Sequence, residues 1–405
     1  MTRSASRRNP RPGLRIAVVS ETYPPEINGV AATIAVMVQG LLARGHEIEV
    51  VRPRQQSDCR QALRAACAEI LVAGAPVPGY ATLRFGLPAT ALLFQRWRTV
   101  RPDIVHVVTE GPLGWSAVRA ARKLALRVAS DFHTNFDAYC GHYRLGWLQR
   151  PVLRYLRALH NATAVTMVPT EELRASLSQC GFERVAVVSR GVDTRLFKPA
   201  CRSEALRRSW GANPDTPVVI HVSRLAPEKN LALLFRTFER MRTHCPQARL
   251  VIVGDGPERV RLERQHPEHH YAGMQRGEAL AAHYASADIF LNPSLTETFG
   301  NVTIEAMASG LAVVAYDYAA ARQCIRHGVN GMVAPFGDEE RFTRAALELI
   351  AHGEGMESIR RAARSSAERI DWERVLDSLE WTLRSVAYRG HFRPSMSWVA
   401  PELLR

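Results

Sequence analysis

Two carboxylates frame a segment of the sequence that could bind a polar ligand. Glu297 and Glu305 are separated by seven residues in TETFGNVTIEAMASG, residues 296–310. The preceding run DIFLNPS predicts a buried strand, and VTIEAMAS predicts a helix that ends at Gly310. Glu297 is therefore expected in the loop at the carboxyl end of a strand, and Glu305 about one turn into the helix. The amide groups between them belong to Phe299, Gly300 and Asn301.

This arrangement suits a sugar nucleotide. One carboxylate can accept hydrogen bonds from sugar hydroxyls and the other from ribose hydroxyls, while the amides of the helix start favour negative charge. A structural alternative stays open from these residues alone, in which Glu297 caps the helix and Glu305 lies on the surface.

A second loop carries cations. The sequence RLAPEKN follows the apolar run PVVIHVS and places Arg224 and Lys229 before a helix that Asn230 is expected to cap. Two cations beside a helix start can bind a pyrophosphate, although solvated surface charges are an equally open interpretation. In VGDG, Gly254 and Gly256 allow a tight turn or close approach to a ligand. The G-x-G-x-x-G fingerprint is incomplete, which disfavours a nicotinamide or flavin dehydrogenase.

The elements that position these loops alternate between apolar strands and helices. LRIAVVS, IEVVRP, DIVHVVT, LRVASDFH, ATAVTMVPT and RVAVVSRGVD predict buried parallel strands in the first half, and a second series begins at PVVIHVS. We therefore predict an α/β chain with two doubly wound parallel-sheet domains in tandem, whose ligands bind beyond the carboxyl ends of the strands. The predicted divisions are a basic arm at 1–12, a first domain at 13–198, a linker at 199–216, a second domain at 217–370, and a helix with a tail at 371–405.

Composition restricts the function classes. The net charge of +14 indicates an anionic partner, such as nucleic acid, anionic lipid or a phosphorylated substrate. No apolar run reaches the roughly 20 residues that cross a bilayer. The seven cysteines show no metal-ligand spacing, and no secretion signal is evident, so a cytoplasmic location is expected.

Taken together, the motifs resemble the retaining glycosyltransferases of family 4, which have the GT-B fold of two Rossmann-like domains facing a cleft. The resemblance rests on TETFGNVTIEAMASG, on HVSRLAPEKN and on ETYPPEINGVAATI, where Asn28-Gly29 stands in place of the commoner Gly-Gly pair. TEGPLGWSA, DFHTNFDAY, HNATAVTMVPT and RGVDTRLFKP resemble a bacterial and plastid branch that includes lipid glycosyltransferases and mannosyltransferases.

The resemblance implies roles for individual residues. Glu297 would hold the transferred sugar and Glu305 the ribose. Arg224 and Lys229 would neutralise the diphosphate, and Gly29 would contact the donor phosphate. His133, in a loop of the first domain facing the cleft, would contact the sugar near the reacting carbon. Further base or sugar contacts are expected from Arg190, Gly254 and Gly273.

The resemblance also implies that the first domain binds the acceptor and the second the donor. No metal or other cofactor is expected, because cations and amides can stabilise the charge of the leaving diphosphate, and the chain contains no Asp-x-Asp.

A lipid acceptor such as diacylglycerol on an anionic membrane surface is our first hypothesis. Two stretches are basic and apolar together, at 83–98 and 142–160, and the second has the pattern of a helix lying on a membrane. An ordinary packed helix with a wet arginine face is the alternative. A mannosyltransferase or another hexosyltransferase with a soluble or polysaccharide acceptor stays open, as does a nucleotide-sugar epimerase. Nucleic-acid binding is disfavoured, because the arginines are scattered and no reader motif is present.

Overall fold

The structure of the 405-residue chain is a computed structural model, which describes residues 12–26, 28–55, 58, 67–77, 80–133, 149–351 and 354–389. In these residues two parallel β-sheets are each covered by helices on both faces. This confirms the α/β class and the two doubly wound domains that the alternating sequence pattern predicts.

The first domain is built on a seven-stranded parallel sheet in the described residues. Its strands and an added ribbon are β1 (Arg15–Val19), β2 (Glu47–Pro53), β3 (Ala68–Val72), β4 (Gly74–Val77), β5 (Tyr80–Gly86), β6 (Ile104–Val107), β7 (Val128–Asp131), β8 (Val165–Val168) and β9 (Val185–Val187). The order across the sheet is β3-β2-β1-β6-β7-β8-β9, while β4 and β5 pair antiparallel with each other. In β1, Ile16 and Val18 pack in one core and Ala17 and Val19 in the other, which explains why residues 16–19 are all apolar.

The helices of the first domain are α1 (Gly29–Ala43), α2 (Thr90–Thr99), α3 (Pro112–Lys123), α4 (Gln149–Asn161) and α5 (Glu171–Gln179). The helix α1 begins at Asn28, whose side chain accepts a hydrogen bond from the amide of Ala31 at 2.8 Å. This N-cap fixes the start of α1 directly after the loop that follows β1.

The second domain has a six-stranded parallel sheet in the described residues. Its elements are α6 (Glu204–Ser209), β10 (Val218–Val222), α7 (Leu231–His244), β11 (Arg249–Val253), α8 (Arg259–Gln265), β12 (His270–Gly273), α9 (Gly277–Ala285), β13 (Ile289–Asn292), α10 (Asn301–Ala308), β14 (Ala312–Tyr316), α11 (Ala319–Cys324), β15 (Met332–Ala334), α12 (Glu339–Ala351) and α13 (Glu354–Ala367). The strand order is β12-β11-β10-β13-β14-β15. The carboxyl ends of β10 and β13 are adjacent, so the two motif loops that follow them are neighbours.

The segment 199–216, predicted as a linker, is folded onto the second domain. It contains a one-turn 3-10 helix at Pro199–Cys201 and the helix α6. Arg207 of α6 is fully buried and forms an ion pair with Asp288 at 3.1 Å, and Trp210 packs in the core. These contacts make the segment a structural part of the domain that it precedes.

The final helix, α14 (Trp372–Arg389), returns to the first domain. Leu376, Leu379 and Leu383 pack in the same core as α1. Arg44 at the end of α1 forms ion pairs with acidic residues of α14, namely Glu373, Asp377 and Glu380. The predicted helix is confirmed, and it covers the first sheet although it follows the second domain in sequence.

In residues 149–160, the described part of the stretch 142–160, the structure favours the packed-helix alternative over a helix lying on a membrane. In α4, Leu156 and Leu159 are buried in the first domain, so this apolar face contacts protein. The arginine face, formed by Arg150, Arg154 and Arg157, is exposed. Arg144, Trp147 and Leu148 lie outside the described residues. None of the described helices combines the length and apolar composition needed to cross a bilayer.

Candidate active site

The Glu297 loop turns through a glycine. Gly300 has a φ of 95°, in the left-handed region, and α10 begins at the next residue. A side chain at this φ would strain the turn, which accounts for the glycine between the loop and the helix. The ring of Phe299 is buried in the domain core, so its side chain is not available to a ligand. Glu305 lies just over one turn into α10, as predicted.

Glu297 and Lys229 meet directly. The ammonium of Lys229 donates to Glu297 Oε1 at 2.6 Å, and it lies 3.3 Å from Ser294 Oγ and 3.4 Å from the carbonyl oxygen of Thr296. The side chains of Lys229 and Glu297 are 14% and 15% exposed. The pair is therefore largely desolvated, which strengthens the attraction between the cation and the carboxylate.

The cation of Arg224 is held by an acid that sequence reasoning missed. Arg224 forms an ion pair with Glu228 four residues later, and Glu228 is fully buried. The carbonyl oxygen of Glu228 also accepts a hydrogen bond from the amide of Leu295 at 3.1 Å, which ties this loop to the loop of Glu297. An acid four residues after Arg224 was the available sequence signal.

Asn230 occupies the N-cap position of α7, as predicted, but not with the expected side-chain cap. A 3-10 turn spans Pro227–Lys229, and Asn230 adopts a left-handed conformation with a φ of 51°. Its side chain makes no capping hydrogen bond to α7. Asparagine tolerates this conformation better than most residues, so its role is to change the chain direction between the turn and α7.

Glu305 pairs with a tyrosine. The hydroxyl of Tyr284 on α9 donates to Glu305 Oε2 at 3.1 Å. Burial raises the pKa of Glu305 to about 7, although the Tyr284 hydrogen bond lowers it in part. The protonation of Glu305 therefore changes near neutral pH. Tyr284 was not identified from the sequence.

His133 belongs to a buried polar cluster of the first domain. Asp131 lies between two histidines, with Oδ2 at 3.1 Å from His133 Nε2 and Oδ1 at 3.2 Å from His106 Nε2. Burial and the charge of Arg190 lower the pKa of His133, which favours a neutral imidazole. Burial opposes the charge of Asp131, but His106 and His133 lower its pKa below the ordinary value. Asp131 and His106 were not identified from the sequence.

Arg190 lies beside His133. Its Nη2 is 3.4 Å from each ring nitrogen of His133, and its Nη1 donates to the carbonyl oxygen of Val188 at 3.1 Å. The side chain of Arg190 is buried, and its guanidinium lies against the ring of His133. A contact between Arg190 and a base or sugar stays a prediction.

The two domains touch through the predicted site. Thr298 Oγ1 donates to the carbonyl oxygen of His133 at 2.9 Å, and Asn301 Nδ2 donates to Thr33 Oγ1 of α1 at 3.3 Å. The structure thereby brings the His133 loop, the Glu297 loop and the start of α1 to one place. Gly29 opens α1, and a methyl group added there would meet no atom within 4 Å. Space is therefore open in front of Gly29.

The other glycines have packing roles. A methyl group on Gly254 would lie 1.8 Å from the carbonyl oxygen of Ser223, and one on Gly256 would lie 2.3 Å from that of Leu225. Both glycines thus let the loop after β11 pack against the loop after β10. Gly273, with a φ of 65°, accepts a hydrogen bond from the amide of Gly254 at 2.8 Å. These contacts account for Gly254 and Gly256 without a ligand. Ligand contacts at Gly254 and Gly273 stay predictions.

Comparison with known proteins matches both halves of the chain. Residues 27–196 match the profile of glycosyltransferase family 4, and residues 216–352 match that of glycosyl transferases group 1. The chain is 33% identical to a GDP-mannose-dependent alpha-mannosyltransferase of Mycobacterium tuberculosis, over 91% of this chain and 95% of that protein.

Two further similarities cover most of the chain. It is 25% identical to an alpha-monoglucosyldiacylglycerol synthase of Acholeplasma laidlawii, over 88% of this chain and 93% of that protein. Among solved structures, Alr3699/HepE of Anabaena in complex with UDP has a TM-score of 0.74 at 20% identity, covering 92% of this chain and 100% of the other. This structural likeness supports the GT-B fold.

Proposed function

Because the chain belongs to the family 4 glycosyltransferases, we propose that it transfers a hexosyl group from a nucleotide sugar to a hydroxyl of a membrane lipid, with retention of configuration. Membership of this family makes the chain a glycosyltransferase. The lipid acceptor and the retained configuration are what we propose beyond that. The observation that carries it is the Lys229–Glu297 pair, at 2.6 Å, in a loop that contacts the His133 loop across the domains.

In the proposed complex, cationic and anionic side chains both bind the donor. Lys229 and Arg224 neutralise the diphosphate, Glu297 accepts hydrogen bonds from hydroxyls of the transferred sugar, and Glu305 accepts them from the ribose. As the leaving diphosphate gains negative charge, the preplaced cations stabilise that charge where it forms. No metal ion is needed for this step in the proposed mechanism. The leaving phosphate helps to take the proton of the acceptor hydroxyl on the same face of the sugar.

GDP-mannose is the first donor to test. The 33% identical relative from Mycobacterium tuberculosis is named for this donor, whereas the Acholeplasma relative is named for a glucosyl product on diacylglycerol. A UDP-sugar is therefore the second donor class.

A surface of the first domain fits an anionic lipid interface. Leu87 and Leu92, near or in α2, are 40% and 47% exposed. Nearby α2 and α3 line a groove of about 440 Å³, formed by Thr90, Arg119, Arg122 and Lys123. Exposed leucines beside cations are the combination that an anionic membrane surface attracts. This surface, rather than the buried leucine face of α4, is the proposed lipid contact.

Nucleotide release from the purified protein tests the proposal. GDP-mannose, UDP-glucose, UDP-galactose and UDP-glucuronate are each compared with and without diacylglycerol in anionic liposomes, in buffer with EDTA. We expect release from one donor only when the lipid is present, undiminished by EDTA, and a product with the anomeric configuration of the donor by NMR.

Other outcomes of that assay would contradict the proposal. Turnover that ignores the lipid would move the acceptor to a soluble glycan or metabolite. Conversion of the donor to an isomer without an acceptor would indicate an epimerase. Complete loss of release in EDTA that excess MgCl₂ restores would contradict the metal-independent step.

The pH dependence of donor binding tests the role of Glu305. Its pKa is raised from the ordinary value to about 7, so the accepting carboxylate forms as the pH rises through 7. We expect the apparent Kd of the donor to fall about 10-fold between pH 6 and pH 8, because only the ionised fraction binds the ribose fully. Titration calorimetry with the donor measures this change.

A Glu305→Gln variant is the control for this profile. It should bind the donor more weakly at pH 8 and lose the change between pH 6 and pH 8. Burial also raises the pKa of Glu21 in the first domain to about 7. An unchanged profile in Glu305→Gln would assign the pH dependence to another group, such as Glu21, and would contradict the ribose role.

A further inference from the structure

A second cluster of ligating side chains lies at the edge of the second sheet away from the candidate active site. His266 follows α8, and Glu268 and His269 directly precede β12. The active-site loops follow the carboxyl ends of their strands, whereas this cluster stands at the amino end of a strand. Because the strands of the sheet are parallel, the cluster and the active site lie at opposite ends of the strands.

The three side chains converge on one point. Glu268 Oε1 lies 3.3 Å from His269 Nε2 and 3.9 Å from His266 Nδ1. One ligand atom from each residue lies within 4.8 Å of the other two. Tetrahedral Zn²⁺ with bonds of about 2.0–2.2 Å keeps its ligand atoms roughly 3.4 Å apart, so a small adjustment would place all three on one ion.

The buried position of His269 supports the site. Its side chain is 3% exposed, and its buried Nε2 faces the carboxylate of Glu268 at 3.3 Å outside hydrogen-bond geometry. A buried polar nitrogen in this state is costly unless something binds it.

The ligands are held in place by aromatic packing. The ring of His266 stacks on Phe235 with centroids 4.0 Å apart, and His269 packs against Phe235 and the edge of Phe238. These contacts fix both rings before an ion arrives. Glu239 of α7 has Oε1 at 3.8 Å from His269 Nε2, which offers a fourth ligand from a separate helix.

Solvent has access to the cluster. The side chain of Glu268 is 48% exposed, and Glu268 and His269 line a surface groove of about 360 Å³. An ion can therefore enter and leave without unfolding of the domain. The open side also leaves room for a water ligand.

The geometry points to a Zn²⁺ site formed by His266, Glu268 and His269, with Glu239 or water completing the shell. Two imidazoles and carboxylates form a ligand set that suits zinc better than Mg²⁺, which prefers all-oxygen sites. The ion would connect α7 to the segment between α8 and β12. Its role is to stabilise this edge of the second domain, since it lies away from the reacting groups.

Zinc binding by the full chain tests this site. Protein stripped with a chelator and then dialysed is titrated with ZnCl₂ by calorimetry, and the midpoint of thermal unfolding is measured with ZnCl₂ or MgCl₂. We expect saturable binding of a single Zn²⁺ per chain and a higher midpoint with zinc but not with magnesium, because an ion that binds the folded state stabilises it.

Matched variants locate the ion. His269→Gln and Glu268→Gln should each weaken Zn²⁺ binding by at least about 10-fold and remove the rise in the unfolding midpoint. His244→Gln, at an exposed histidine that ends α7, should bind zinc like the wild type.

Two outcomes would overturn the site. One is the absence of saturable zinc binding by the wild type. The other is wild-type affinity in Glu268→Gln, whose exposed side chain can be replaced with little risk to folding even if the buried His269→Gln variant unfolds.

Discussion

Replacing Lys229 with alanine is expected to lower kcat for glycosyl transfer by about 10²–10³-fold, the range seen when a single preorganised group that stabilises developing charge is removed. The ammonium of Lys229 lies at the junction of the RLAPEKN loop and the Glu297 loop. The proposed leaving group is a diphosphate, which becomes more negative as the glycosidic bond breaks. Without the ammonium, that charge forms in a partly buried site with one cation fewer.

Steady-state kinetics with the donor identified by nucleotide release measures this loss. Lys198→Ala is a matched control, because Lys198 is an exposed lysine before the second domain. Its kcat should stay at the wild-type value. A Lys229→Ala variant with wild-type kcat would exclude Lys229 from stabilising the leaving group.

The pairing with Glu297 requires a second variant. Lys229→Ala leaves a carboxylate that is only 15% exposed without its partner at 2.6 Å, which we expect to reduce the free energy of unfolding by about 1–3 kcal/mol. In the double variant Lys229→Met with Glu297→Gln, the lone charge is absent, so part of this stability should return. Activity should fall further, because both donor contacts are lost. Recovery of activity together with stability would make the pair structural.

The fold could be predicted where local sequence determines it. Residues 16–19 of β1, IAVV, are apolar at successive positions, and a strand with both faces buried is the arrangement that hides them all. The course of α14 could not be predicted in this way. The spacing of Leu376, Leu379 and Leu383 indicates an apolar helix face, but it does not say which of two domains that face covers.

The candidate site was predictable in its motifs but not in its contacts. Glu297 and Lys229 were assigned to one site, yet their direct pairing joins residues 68 positions apart and depends on the adjacency of β10 and β13. Tyr284 reaches Glu305 only because α9 packs beside α10. Such partners depend on tertiary packing, which composition and spacing do not encode.

Asn230 shows how a residue preference can mislead. Asparagine favours both helix N-caps and left-handed turns, and the sequence alone suggested a cap. The 3-10 turn at Pro227–Lys229 ends where the chain must change direction, and the left-handed conformation satisfies that need.

The buried cluster around His133 leads to the second large expected effect. His133→Ala should lower kcat by about 10²-fold, because the family resemblance implies that the ring contacts the sugar near the reacting carbon. Asp131→Asn keeps the shape of the side chain and removes its charge, and we expect a loss of roughly 10-fold, because Asp131 acts through the orientation of His133. Both variants are assayed for kcat and for donor KM, and their thermal unfolding is recorded. His46→Asn is the control for simple loss of stability, because it replaces another buried histidine of the first domain. His46 accepts a hydrogen bond from the amide of Leu14 and faces Glu380.

The pH profile distinguishes orientation from charge. Asp131 raises the pKa of His133, whereas burial and Arg190 lower it. Removing the carboxylate charge therefore lowers the pKa of His133 further and leaves the imidazole neutral over a wider pH range. If the neutral ring is the working form and Asp131 only orients it, kcat of Asp131→Asn should be reduced by the same factor at every pH from about 6 to 8. Recovery of kcat as the pH is lowered would instead mean that a protonated His133 is required, and it would overturn the positioning role of Asp131.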